Sequence, residues 1–101
     1  KGGRETKAGL VESYVHQARV GAMIEVFCET DFVARTDEFK TLAHEIAMQV
    51  AAMNARDEKE LLKQEYIRDN TKTIEDLIKE AIAKLGENIT IGRIVRFEIG
   101  K

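Results

Sequence analysis

Thr36-Asp-Glu-Phe-Lys-Thr-Leu-Ala-His-Glu-Ile-Ala-Met-Gln-Val-Ala-Ala-Met-Asn54 carries the strongest structural pattern in the chain. Thr36 is a suitable N-cap, and the two acidic residues after it complement the positive end of a helix dipole. Asn54 is a suitable stop, because Asn tolerates the left-handed backbone that often ends a helix. Between them, apolar side chains recur at helical spacing: Phe39, Leu42, Ala43, Ile46, Ala47, Val50 and Met53. The segment therefore predicts a core helix with one broad buried face.

Two segments before this helix predict a pair of strands. Residues 10–17 and 20–28 are rich in Val, Ile, Tyr and Phe, which favour strands. With a turn centred on Ala18 and Arg19, three pairs would share the side that the helices cover: Val15 with Ala22, Ser13 with Ile24, and Val11 with Val26. The opposite side would carry a mixed set fit for solvent or a partner: Glu12, Tyr14, His16, Met23 and Glu25. A slip of one residue would exchange the two sides, so the pattern also predicts the register.

The rest of the chain predicts two helices and a third strand. Residues 55–70 are highly charged, and a short helix is predicted over residues 58–66. Thr73 and Asp76 have the spacing of a capping box, and Gly86 stands where a left-handed residue would end the following helix. The apolar stripe of that helix consists of Ile74, Leu77, Ile78, Ala81, Ile82 and Leu85. Residues 89–99 alternate like a strand, with one side formed by Ile91, Val95, Phe97 and Ile99 and the other by Gly92, Ile94, Arg96 and Glu98.

This order of strand, strand, helices and strand predicts an α+β fold. The expected architecture is a two-layer sandwich, in which helices pack on one face of a three-stranded antiparallel sheet. Residues 1–8 are charged and glycine-rich and predict a flexible linker, so residues 9–101 would form the single core domain. The chain begins with Lys rather than Met, and we therefore expect a fragment or a processed product.

Composition narrows the function classes. Of the 101 residues, 44% are hydrophobic and 34% are charged, as in an ordinary globular domain. A net charge of −2 argues against binding to nucleic acid or membranes that is driven by charge alone. One cysteine rules out an internal disulfide, and no apolar run reaches the roughly 18 residues of a membrane span.

His16, Cys28 and His44 are the residues that a metal site or a nucleophilic centre would need. Their spacings match no common zinc pattern, and no fourth ligand is evident. His16 and Cys28 would lie at opposite ends of the hairpin, out of reach of each other as a Cys–His pair. We therefore expect Cys28 to be a small buried residue near a strand end and His44 to be a solvated helix residue, with no metal and no cofactor.

An RNA-associated module is an alternative, since Arg93, Arg96 and Lys101 form a basic cluster near the end of the chain. Such modules stack bases on paired aromatics of a sheet. The aromatics available on the strands are Tyr14, Phe27 and Phe97, and acidic residues lie on the same strands. The chain also lacks the GxxxxGK[ST] spacing of a phosphate-binding loop, so direct binding of guanine nucleotide is not expected.

Cys28-Glu-Thr-Asp-Phe-Val-Ala-Arg35 joins the second predicted strand to the core helix. This string resembles the signature of the elongation factor Ts family, the guanine-nucleotide exchange factors of elongation factor Tu. Further blocks resemble the family in the same order along most of the chain: Gly9-Leu-Val-Glu-Ser-Tyr-Val-His16, Arg19-Val-Gly21, Asp37-Glu-Phe39, Ala43-His-Glu-Ile-Ala-Met-Gln-Val-Ala-Ala52, Lys79-Glu-Ala-Ile-Ala-Lys-Leu-Gly-Glu-Asn-Ile89 and Arg93-Ile-Val-Arg-Phe-Glu-Ile-Gly100.

The resemblance implies a protein-binding exchange factor in translation elongation rather than an enzyme with its own chemical step. It implies that elongation factor Tu, both GDP-bound and nucleotide-free, is contacted by four consecutive residues: Thr30, Asp31, Phe32 and Val33. In the family the aromatic inserts between helices of the partner, near its magnesium site. From the residues alone, Phe32 could also be a staple that packs back on its own helix, with Asp31 complementing the dipole of that helix.

Two features leave a purely structural or dimerisation module of the same family as a further alternative. The family normally carries a small helical domain upstream, and many relatives carry an insertion near residues 55–70; this sequence shows neither. Some relatives dimerise through the last strand, and some have a cysteine at the position of Val95, which cannot form a disulfide. Arg93 and Arg96 on the same strand would also repel those of a second copy unless Glu98 paired with them. We therefore expect a monomer or a weak noncovalent homodimer that pairs through the last strand. The resemblance implies a bacterial cytoplasmic location, with an organellar matrix or stroma as the alternative.

Overall fold

Two layers form the structure, a computed structural model that describes residues 4–101. The elements follow one another as β1 (Ala8–His16), β2 (Val20–Cys28), α1 (Asp31–Ala34), α2 (Asp37–Met53), α3 (Glu58–Lys63), β3 (Glu65–Tyr66), β4 (Asp69–Thr73), α4 (Ile74–Leu85) and β5 (Thr90–Glu98). Strands β1, β2 and β5 form an antiparallel sheet in that order, with β2 in the centre. The helices cover one face of this sheet, which confirms the predicted α+β sandwich.

Helix α2 supplies the centre of the core, as predicted. The Oγ1 of Thr36 accepts a hydrogen bond from the Phe39 amide at 3.2 Å, and Asn54 ends the helix with a φ of 49°. The predicted stripe is buried except for Met53, which is half exposed at the last turn. The sequence pattern missed Gln49, which is fully buried although it is polar. Its amide is satisfied by the chain after α3, because it donates to the Glu65 carbonyl and accepts from the Ile67 amide, both at 3.0 Å.

The predicted register of the first hairpin is wrong by one residue. Three residues, 17–19, connect the strands instead of two, and Gln17 and Ala18 both adopt left-handed backbone with φ of 52° and 58°. As a result Tyr14, rather than Val15, lies opposite Ala22. The side assignment of the whole of β1 changes with it. Residues Glu12 and Tyr14 lie on the helix side, while the predicted core residues Val11 and Val15 lie on the uncovered side, 61% and 65% exposed.

A bulge changes the predicted alternation of β5. Ile24 lies opposite Ile94, but Val26 lies opposite Ile91, so β5 has one more residue than β2 in this interval. Ile91 and Ile94 therefore both lie on the helix side, and the predicted grouping of Ile91 with Val95, Phe97 and Ile99 is wrong. The bulge favours a glycine at residue 92, because a Cβ there would clash with the ring of Phe27 at a distance of 2.5 Å.

The region between α2 and α4 contains a hairpin that the sequence pattern did not predict. The short helix begins at Glu58 as expected but ends at Lys63, and β3 and β4 follow it. Tyr66 is buried beneath α2, where its hydroxyl donates to the carboxylate of Glu45. The predicted capping box of Thr73 and Asp76 begins α4, and Gly86 ends it with a φ of 78°.

The start of the described chain runs beside the loop after α4 and the start of β5. The Asn88 side-chain amide donates to the Arg4 carbonyl at 2.9 Å, and the hydroxyls of Thr6 and Thr90 lie 3.3 Å apart. The linker assigned to residues 1–8 stays a prediction, and its residues 1–3 lie outside the described part. Within residues 4–101, no helix combines the length and the apolar character that crossing a bilayer requires.

Candidate functional site

The segment between β2 and α2 carries the four predicted partner-binding residues. Thr30 is the N-cap of the one-turn helix α1, and its Oγ1 accepts a hydrogen bond from the Val33 amide at 3.3 Å. The helix closes with the Arg35 amide donating to the Asp31 carbonyl at 3.2 Å. The hydroxyl of Thr36 then donates to the Val33 carbonyl at 2.8 Å, so the end of α1 is joined directly to the N-cap of α2.

Two of the four residues in α1 point inward and two point outward. Val33 and Ala34 are buried against the core, and they hold the turn in place. Asp31 lies in the first turn, as expected, and is exposed. Phe32 is 81% exposed, so it does not pack back on its own helix as a staple. An aromatic side chain is thus presented to solvent from a backbone that is anchored on the other side.

A network of hydrogen bonds ties the residues before α1 to the loop after α4. The Oε1 of Glu87 accepts from the amides of Glu29 and Thr30, both at 3.1 Å, and its Oε2 accepts from the Thr30 hydroxyl at 2.8 Å. In return, the carboxylate of Glu29 accepts from the Asn88 amide at 2.6 Å. Nothing in the local sequence pattern pointed to Glu87, because its partners lie 57 and 58 residues away in the chain.

Cys28 and the histidines do not converge. Cys28 is fully buried at the end of β2, as expected, and its thiol donates to the Thr30 carbonyl at 3.2 Å. Burial raises the pKa of the Cys28 thiol, which makes it a poor nucleophile. His16 lies at the opposite end of the hairpin, and His44 is exposed on α2 beside Glu12. Among residues 4–101, no three His, Cys, Asp or Glu side chains are grouped as metal ligands.

The basic residues of β5 are paired within the chain. The guanidinium of Arg93 contacts the carboxylate of Glu25 at 2.7 Å, and that of Arg96 contacts Glu98 at the same distance. The hydrogen bonds from Arg93 lower the pKa of Glu25 to about 2. Arg96 also donates to the Ala51 carbonyl at 2.9 Å, which ties β5 to the end of α2.

The aromatics of the sheet are not arranged as a base-stacking platform. Tyr14 lies on the helix side, in edge contact with His44. Phe97 lies opposite Gly21, whereas Phe27 is six residues further along β2. Six residues of strand span about 20 Å, too far for the two rings to stack adjacent bases. The arrangement therefore does not favour the RNA-associated alternative.

Comparison with known proteins gives a consistent result. The family model described as Elongation factor TS matches residues 29–101, which include the whole α1 segment. The chain is 42% identical to the elongation factor Ts of Thermoanaerobacter sp. (strain X514), over its entire length and 72% of that protein. It is 39% identical to the one of Coprothermobacter proteolyticus (98% of the chain, 74% of that protein) and 40% identical to the one of Thermotoga neapolitana (all of the chain, 74% of that protein).

The fold and these matches define a translation elongation factor, a protein of protein biosynthesis. More particularly, the chain belongs to the elongation factor Ts family. The aligned stretch in the Thermoanaerobacter relative is 147 residues long, whereas this chain has 101. That relative therefore contains residues without a counterpart here.

Proposed function

We propose that this chain binds elongation factor Tu and promotes the release of GDP from it, with Thr30, Asp31, Phe32 and Val33 forming the contact region. The observation that carries the proposal is the exposure of Phe32 on a turn whose next two residues are buried. An exposed Phe contributes nothing to its own core, and its burial against a partner is favourable. Thr30 and Val33 serve the contact by fixing the backbone, since the first caps α1 and the second anchors it.

The proposed mechanism uses the burial of Phe32 to disturb the partner's nucleotide site. Mg²⁺ needs near-ideal octahedral geometry, so a small displacement of a neighbouring helix weakens its bond to the GDP phosphates. Burying one Phe is worth about 1.5–3 kcal/mol, and each tenfold increase in release rate needs about 1.4 kcal/mol. Insertion of the Phe32 ring can therefore increase the rate of GDP release by one or two powers of ten. The chain needs no chemical step of its own for this, and it would meet its partner in both the GDP-bound and nucleotide-free states.

Phe97 provides a matched control for Phe32, because it is a second exposed Phe, at 74%, on the sheet rather than on α1. Phe32→Ala should slow GDP release from elongation factor Tu by about tenfold or more, whereas Phe97→Ala should leave it near the wild-type rate. Neither change should lower the melting temperature much, because a large loss of stability is expected only when a buried Phe of the core is truncated. Normal exchange by a folded Phe32→Ala protein would contradict the proposal.

We further propose that the chain is a monomer or a weak noncovalent homodimer. The uncovered face of the sheet exposes several apolar side chains: Val11, Val15, Met23, Val95 and Phe97. Strand β5 is an edge of the described sheet, and unpaired edges recruit further strands. Cys28 is the single cysteine of the sequence and is fully buried, so the chain offers no thiol for a covalent link. This face favours the dimerisation module as the second candidate function.

A further inference from the structure

We propose that Glu87 is a positioning residue for nucleotide exchange: its carboxylate fixes the start of α1 and thereby the direction in which Phe32 projects. The inference rests on the proposed function and adds to it a residue outside the 28–35 segment. Glu87 lies in the loop between α4 and β5, and it touches Glu29 and Thr30 rather than Phe32 itself.

The Thr30 hydroxyl shows how Glu87 acts on the helix. A hydroxyl has one proton to donate and lone pairs to accept with. The Thr30 hydroxyl donates its hydrogen bond to Glu87 Oε2 at 2.8 Å, which leaves the lone pairs of Thr30 Oγ1 free to accept from the Val33 amide. The N-cap geometry of α1 is therefore set by a carboxylate from a distant part of the chain.

Helix α1 depends on such external support because it is a single turn. Four residues are far fewer than the roughly 12–15 that an isolated helix needs in water. Val33 and Ala34 hold the inner side of the turn by burial. Its start is held by Glu87, which satisfies two backbone amides and the cap hydroxyl together. Without this carboxylate the amides of Glu29 and Thr30 lose their acceptor, and the turn is fixed on one side only.

The segment before α1 and the loop after α4 each supply a carboxylate to the other. The Glu29 carboxylate accepts from the Asn88 amide at 2.6 Å, and Arg4 stands 3.5 Å from its other oxygen. Each carboxylate thus faces N–H groups of the opposite segment, and charge-assisted bonds of this kind are about twice as strong as neutral ones. Because Phe32 is largely exposed, the direction of its ring follows the backbone of α1, which this network and the burial of Val33 hold in place.

A double-mutant cycle with Phe32 separates positioning from general stability. Glu87→Ala in the full chain should reduce the rate of fluorescent GDP release from elongation factor Tu by about tenfold, with a small change in melting temperature. In a Phe32→Ala background the same change should have almost no further effect, because Glu87 acts through Phe32. Glu75→Ala is the matched control, since Glu75 is an exposed glutamate in the first turn of α4, at the opposite end of that helix from Glu87, and this variant should exchange normally.

Conservative variants test the same geometry. Glu87→Gln keeps an oxygen for both backbone amides, and the Thr30 hydroxyl can rotate to accept from the new amide; exchange should recover to within about threefold of wild type. Thr30→Val removes the cap hydroxyl and should reproduce the loss, which keeps the inference testable if Glu87→Ala does not fold. Unchanged exchange in Glu87→Ala, or an equal loss in both Phe32 backgrounds, would overturn this inference while the proposed function stands. Normal exchange in Phe32→Ala alone would instead overturn the proposed function.

Discussion

Phe32 is exposed because the residues that follow it in α1 occupy the buried side of the helix. A four-residue helix can bury only one side, and Val33 and Ala34 occupy that side. The N-cap Thr30 then fixes the backbone that carries the ring. The resemblance of the motif predicts a contact site at residues 30–33, which stays a prediction, and the choice between a staple and an exposed aromatic needed the surrounding structure. Glu87 could not be predicted, because no local pattern relates it to Thr30.

The ion pair of Glu25 and Arg93 predicts how the stability of the fold depends on pH. Hydrogen bonds from Arg93 hold the pKa of Glu25 at about 2, below its ordinary value of 4.5. The stabilisation that the ionised Glu25 gives the folded state is therefore fully present above pH 4.5. It is lost as the pH falls toward 2, where Glu25 becomes protonated in the folded state too. In Arg93→Ala the pKa of Glu25 should return toward 4.5, so the difference in melting temperature from wild type should shrink steadily between pH 4.5 and 2.

Arg19→Ala is the control for this titration, because Arg19 is an exposed arginine of the β1–β2 turn without an ion pair in the described chain. Its difference from wild type should stay constant over the same pH range. A difference for Arg93→Ala that also stays constant would show that the ion pair does not control the titration of Glu25.

At the scale of elements, the helices were predictable and the strand pairing was not. Caps and apolar stripes are local, so Thr36, Asn54 and the capping box of Thr73 gave α2 and α4 nearly to the residue. Register depends on loop length and bulges, which a strand pattern does not contain. The left-handed Gln17 and Ala18 lengthened the turn, and the bulge at β5 placed Ile91 and Val95 on opposite sides of the sheet. The β3–β4 hairpin escaped prediction because its strands are short and mostly polar.

Strand β5 carries the prediction about self-association. Val95 is 43% exposed on the uncovered face, where burial against a second copy would favour a weak dimer. Sedimentation at several concentrations should show a monomer that partly dimerises as concentration rises, and Val95→Lys should shift the distribution to monomer. Ile67→Lys is the matched control, because Ile67 is 44% exposed but lies outside the three-stranded sheet. A dimer that is independent of concentration and unaffected by Val95→Lys would place the interface elsewhere.

At the scale of the whole molecule, one core supports the proposed contact region. The sheet and the two long helices share a single core, and α1 lies at one end of it, joined to α2 through Thr36 and to the end of α4 through Glu87. By the proposed function, this chain accelerates nucleotide release from elongation factor Tu although it has fewer residues than the aligned part of the Thermoanaerobacter protein. Family membership follows from the matches, whereas the activity depends on whether the α1 segment suffices for the contact.

The most direct test mixes the chain with elongation factor Tu that carries fluorescent GDP, in the presence of excess unlabelled GDP. Substoichiometric amounts of the chain should accelerate the fluorescence decay by about tenfold or more, with a rate that saturates as the chain concentration rises. The acceleration should shrink when Mg²⁺ has been removed by a chelator, because the proposed action is on the magnesium site. A folded chain that leaves the release rate unchanged at every concentration would show that it does not act as an exchange factor for elongation factor Tu.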